Sequence, residues 1–207
     1  MGAITYNKGL DYRLMAIPVW GTLYLFGQDS TIKNWEDLRG KKVYVMARGM
    51  IPDVLFRYLL IKNDIEPDKD ITLDYSFPSH IDLANAVAAG RAELAVISEP
   101  LVSLVMKRNI KVSAIMDLNK EWALLQGTPI PQTALLGRGS FIDKDPVLAV
   151  KILSACDRSV AWVNSNPDSA AILIVKHNIL PDIDVAKASI PRSNMNFMRA
   201  DSISNEI

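Results

Sequence analysis

The sequence predicts an α/β fold with a mostly parallel sheet wrapped by helices, and three observations predict it. Between residues 33 and 118, short apolar β-branched runs alternate with stretches of helical spacing, joined by short loops. Two extended runs, residues 12–27 and 129–142, bracket that block. From Asp143 onward the pattern is almost purely helical. A block entered and left by two strands reads as an inserted lobe tethered to another lobe, the crossing strands forming a hinge. The expected division is residues 28–128 for the inserted lobe. Residues 1–27 and 129–207 would supply the hinge strands and a partial first lobe.

Each element has its own reason. "YRLMAIPVWGTLYLFG" alternates and carries β-branched and aromatic residues, an extended run broken near Pro18 and Gly21. "NWEDLRG" is a short helical turn closed by Gly40, followed by the strand "KKVYVM". "IPDVLFRYLLIKNDI" places Val54, Leu55, Tyr58, Leu59 and Ile65 at helical spacing. "ITLDYSF" is a strand. "PSHIDLANAVAAG" is a helix with Ser79 as its cap and Gly90 as its stop. The buried run at residues 94–97 ends at Ser98, Glu99 and Pro100, where the helix "EPLVSLVMKRN" begins; "VSAIMDL" is the next strand. The tail helix "VLAVKILSACDRSVAWV" carries an apolar stripe of Val147, Val150, Ile152, Leu153, Cys156, Val160 and Val163, read as core. If its partners are missing, that stripe is exposed and the chain self-associates.

Composition excludes several classes. The 207 residues are 49% hydrophobic and 22% charged, enough for a packed core. Lys plus Arg and Asp plus Glu are 23 each, so no basic surplus points to nucleic acid or an anionic membrane. The single cysteine, Cys156, allows no intrachain disulfide and reads as a small buried residue. His80 and His177 are the only histidines, and no Cys/His cluster has metal spacing, so no metal or cofactor is expected. No P-loop, nucleophile elbow or nucleophile–base set is present. No run reaches the ~18 apolar residues of a membrane span. The opening residues lack the positive region and apolar stretch of a signal peptide.

In order along the chain, several segments resemble one family. "IKNWEDLRGKKVYV" is similar to "i.s..DLkGKkVav", and "ARGMIPDVLFRYLL" to the turn and helix that follow it. "DIEPDKDITLDYS" resembles "gi.p.kDi.l.y", and "HIDLANAVAAGRAELAVISEP" resembles "..l..Al..G.vDaa...EP". The family is the substrate-binding proteins of ABC importers, of the nitrate/taurine/pyrimidine-precursor type, and the match covers roughly residues 5–190. The resemblance implies a type II periplasmic-binding fold with one complete α/β lobe, plus the hinge and C-terminal helices of a partial second one. Members usually begin earlier, so the chain would start where their first lobe is nearly finished. The implied function is capture of a small molecule in an interlobe cleft and its delivery to a membrane permease, without catalysis. The implied location is periplasmic, or lipid-anchored at the cell surface, with the signal absent from this chain.

Such folds bind ligands at helix N-termini and at the loops after strands, where free N–H groups and the helix dipole favour polar or negative groups. Candidates are Trp20, Gly21 and Thr22 on the incoming strand, Trp20 offering a stacking face or serving as core. Residues 47–50 form a second loop, with backbone amides at Gly49 and Met50 and the side chain of Arg48 facing an acidic group or solvent. Residues 77–80 form a third, in which Ser79 and His80 are contacts or caps. Ser98 and Glu99 form a fourth, Glu99 accepting from a ligand N–H or serving the helix start. Gln132 and Thr133 on the return strand are polar candidates. Two other functions share the fold: a pyrimidine-precursor synthase, which would require a Cys-rich motif, and the sensing domain of a regulator, which would require an upstream helix-turn-helix. Arg48 suggests an anionic ligand and Glu99 a cationic one, so ligand identity stays open.

Overall fold

The computed structural model describes residues 6–46, 48–77 and 79–203, and the chain divides into two units. One comprises residues 1–21 and 130–207, the other residues 22–129. The boundary differs from the expected one at the front. Residues 23–27, expected with the hinge strands, form an interior strand of the second unit's sheet.

The second unit contains β2 (Leu23–Gly27), β3 (Lys42–Val45), β4 (Thr72–Asp74), β5 (Leu94–Ser98) and β6 (Ser113–Asp117). Its helices are α1 (Ile51–Lys62), α2 (His80–Ala88), α3 (Leu101–Arg108) and α4 (Leu118–Gln126). The strands form one sheet in the order β4-β3-β5-β2-β6. β3 runs parallel to β4 and β5, while β2 runs antiparallel to β5 and β6. The expected mostly parallel sheet is therefore mixed. β2 follows the crossing from the first unit and enters at the edge where β5 ends, Leu23 lying opposite Ser98, so it must run the other way.

Side-chain alternation distributes the core over both faces of this sheet. Tyr24, Phe26, Ala95 and Ile97 pack with Leu83 and Val87 of α2 and Val102 and Val105 of α3. Leu23, Leu25 and Val96 point to the opposite face, where α1 and α4 pack against β5 and β2. There Phe56, Leu59, Leu60 and Leu118 are fully buried. The Tyr58 and Trp122 rings join α1 to α4 with centroids 5.3 Å apart.

The first unit has a smaller sheet. β1 (Tyr12–Trp20) lies between β7 (Pro131–Arg138) and β8 (Met195–Arg199), antiparallel to both. Its helices are α5 (Gly139–Lys144), α6 (Pro146–Ser165), α7 (Pro167–Lys176), α8 (Ile183–Ser189) and α9 (Ala200–Ile203). β8 interrupts a tail expected to be almost purely helical. The α6 stripe is not core: of the helix's 20 residues only Ala149 and Leu153 are buried. Val147, Val150 and Ile152 are exposed and Cys156 is half-buried, because one side of α6 alone meets β1 and β8. Among the described residues no helix is long and apolar enough to cross a membrane, and no group of three or more His, Cys, Asp or Glu is placed to hold a metal ion.

Candidate functional site

Strand direction in the second unit gathers its loops. β3, β4, β5 and β6 all run the same way, so their C-terminal ends and the N-termini of α1 to α4 share one edge of the sheet. β2 starts at that edge. Thr22, residues 48–50, Ser79, His80, Ser98 and Glu99 therefore collect there. Trp20, Gly21, Gln132 and Thr133 belong to the first unit. Ala47 and Pro78, named with the second and third loops, lie outside the described residues.

Each helix start at this edge is satisfied differently. Ser79 caps α2, its Oγ accepting the Asp82 N–H at 3.1 Å. Asp117 caps α4, accepting from the N–H groups of Asn119 at 3.0 Å and Lys120 at 3.2 Å. Ser98, expected to cap, is the last residue of β5, and Pro100 holds the N-cap of α3. The capping role passes to Glu99, whose carboxylate accepts from Ser103 N–H at 3.1 Å and Ser103 Oγ at 2.9 Å. Glu99 is 7% exposed, and its own N–H donates to the Thr22 carbonyl at 3.0 Å. A carboxylate buried against a helix N-terminus is held by its own chain.

The first turn of α1 is different, because its N-cap, Met50, supplies no side-chain cap. Gly49 takes a left-handed conformation at φ +79°, which a Cβ would oppose. Its N–H donates to Asp53 Oδ2 at 2.6 Å. Arg48 stands beside this turn with a side chain 70% exposed, 3.7 Å from Asp68 and with its guanidinium 5.6 Å from the Tyr75 ring centroid. Met50 is exposed.

Asp53, Arg57 and Tyr75 escaped the sequence reading. Burial alone would raise the Asp53 carboxyl. The Gly49 N–H, the Tyr75 hydroxyl and Arg57 outweigh it and hold the group below the usual carboxylate range. Tyr75 is pushed up to about 12, by burial first and by its bond to Asp53 second. The one available signal was Asp53 and Arg57 four residues apart on a helix, a common surface spacing. His80 is half-buried, its Nδ1 enclosed with no hydrogen-bond partner, and burial lowers its pKa.

The remaining candidates serve the first unit. Trp20 is 3% exposed, packs with Ile17 and Ile203, and donates its indole N–H to the Asn196 carbonyl at 2.8 Å. Gly21, at φ +42°, donates its N–H to the Ile130 carbonyl at 2.8 Å and accepts from the Asn194 amide at 2.6 Å. Gln132 is half-buried and Thr133 exposed on β7.

A mixed five-stranded sheet with helix N-termini along one edge, joined by two chain crossings to a second unit, is a periplasmic-binding-protein-like arrangement. The chain belongs to the NMT1/THI5 like family, whose model matches residues 13–170. Its relatives include YtlA of Bacillus subtilis (strain 168), named as a candidate binding protein. That protein is 28% identical over 173 residues, 83% of this chain and 50% of its own. An ABC transporter structure from Parabacteroides distasonis superposes with a TM-score of 0.82 at 24% identity, covering 98% of this chain and 66% of that one. The periplasmic aliphatic sulphonate binding protein SsuA from Escherichia coli gives 0.74 at 18% identity, with 98% and 67% covered. The alkanesulfonate-binding SsuA from Xanthomonas axonopodis pv. citri, bound to MOPS, gives 0.66 at 15%, with 96% and 66% covered. The chain thus spans half of YtlA and about two thirds of these solved relatives.

Proposed function

We propose that this chain forms the solute-capturing part of an ABC importer's binding protein and that it has no catalytic activity. The observation that carries this reading is the sheet edge of the second unit. There, α2, α3 and α4 have their first turns satisfied by Ser79, Glu99 and Asp117, while α1 has no side-chain cap and Arg48 stands beside it. A helix N-terminus next to an exposed guanidinium favours an anionic group. The ligand is accordingly a small molecule with an acidic group, held by the loop after β3 rather than by Glu99. The sulfonate-binding neighbours support this class by analogy of fold alone.

The partners follow from the same reading: a membrane permease that receives the solute, with the protein periplasmic or anchored at the cell surface. The exposed apolar residues of α6 and α7, Val150 and Ile172 among them, favour self-association of the chain in isolation. The second reading is a pyrimidine-precursor synthase on the same fold. Thermal shift against nitrate, hydrogen carbonate, methanesulfonate, MOPS, glycine and uracil separates the two without assuming a ligand. Stabilisation by an acidic compound, weakened at least tenfold by Arg48→Ala, is the expected result. Stabilisation by uracil alone, or by an acid that binds Arg48→Ala equally well, sinks the assignment.

A further inference from the structure

One buried carboxylate joins two of the loops at this edge. Asp53, in the first turn of α1, is 2% exposed. Its Oδ2 accepts the Gly49 N–H, from the loop after β3, at 2.6 Å. Its Oδ1 accepts the Tyr75 hydroxyl, from the loop after β4, at 2.6 Å, and Arg57 Nε at 2.9 Å. Arg57 closes the circuit, its Nη2 donating at 2.8 Å both to the Tyr75 hydroxyl and to the Asp68 carboxylate. The single hydroxyl proton of Tyr75 goes to Asp53 while its oxygen receives from Arg57, so neither bond displaces the other. Arg48 lies over the same Tyr75 ring and faces the same Asp68. Asp53 is more than a helix-start acid, because it fixes two loops that only strand pairing brings together.

We propose that Asp53 is a positioning residue, making the loop at residues 48–50 and the loop at residues 75–77 move as one body. A ligand group seated at the start of α1 then also fixes the loop after β4. The role in binding rests on the reading of this edge as the ligand site; the coupling does not. Removing a shared acceptor opens both loops, because each loses a buried partner. Pre-formed loops cost less to order when the ligand arrives.

Amide hydrogen exchange on the wild-type chain, Asp53→Asn and Tyr75→Phe tests the coupling. Tyr75→Phe keeps the Gly49–Asp53 bond and the Arg57 pair but cuts the link between the loops. In both variants exchange should quicken at least tenfold at residues 48–51 and 75–77, with β2 and β5 unchanged. Acceleration confined to one loop overturns the proposal. So does uniform acceleration through β2 and β5, which marks Asp53 as a stability residue only. Should Asp53→Asn not fold, Tyr75→Phe decides alone. Binding is scored separately with the same six compounds. If none stabilises the wild type, the ligand reading falls while exchange still decides the coupling. If one binds, Tyr75→Phe should weaken it at least threefold and both loops should gain protection together in the wild type.

Discussion

A carboxylate at the end of a buried strand satisfies its charge either with an incoming donor or with N–H groups of its own chain. Glu99 takes the second course through Ser103. Glu99→Ala would bury the Ser103 N–H without that acceptor and should cost about 1–3 kcal/mol in a urea melt. Glu99→Gln keeps an acceptor and should cost under about 1 kcal/mol. Neither change should alter affinity for an acidic ligand. Charge matters more at Asp29, lowered to about 2, first by its bond from Lys41 and then by Thr31. The folded value lies below the unfolded one, so its contribution is complete above about pH 4 and is lost as pH falls toward 2. The melting temperature of Asp29→Asn should accordingly vary less than that of the wild type between those values. At this scale the sequence was partly legible. Ser79 stands where a capping serine should and does cap. Glu99 was ambiguous because capping and ligand contact both put an acid at the same junction. Asp53 was invisible, since Tyr75 reaches it only after β3 and β4 have paired.

Elements were legible where their signal was local. Helix α1 has apolar residues at helical spacing: Leu55 and Leu59 of that set are buried beside Phe56 and Leu60, while Val54 is exposed. The strand β8 was hidden because five residues between helices gain their meaning from β1, far away in the chain. α4 was missed because its nine residues start directly at the end of β6, with Asp117 as both the last strand residue and the cap. Strand direction is likewise not a local property. β2 has the apolar composition of any interior strand, and only its entry point makes it antiparallel to β5. That pairing leaves no space at Gly27, where a Cβ would sit 1.9 Å from the Glu93 carbonyl oxygen. Gly27→Ala should therefore destabilise the chain by at least about 2 kcal/mol, seen as a lower urea midpoint. Equal stability would mean that β2 does not pair as described.

The largest fully buried side chains, from Phe26 and Phe56 to Leu118, all lie between residues 22 and 129. The other unit buries Trp20 with Ile17 and Ile203, and mostly small residues along α7 and α8, and leaves Val147, Val150, Ile172 and Leu173 exposed. This imbalance argues for a chain larger than a monomer in solution. Light scattering should show it, and Val150→Glu combined with Ile172→Lys should shift the mass toward the monomer. A monomeric wild type would remove that expectation. The ordered set of segments makes the family legible in the sequence alone, because spacing along the chain preserves the succession of strands and helices. The apolar tail stripe read as core for the opposite reason: composition reports which residues can be buried, not whether something arrives to cover them.

The hydrogen bond from Gly21 to the Ile130 carbonyl brings together the two points where the chain departs for the second unit and returns from it. A segment whose ends meet is a cassette. Residues 22–129 should fold when expressed alone, and should accept exchange with the matching insert of a relative, because the splice joins positions already in contact. The same geometry lets recombination exchange residues 22–129 without rebuilding the unit that carries β1, β7 and β8. A lineage can thereby change one contiguous stretch of its gene and keep the rest.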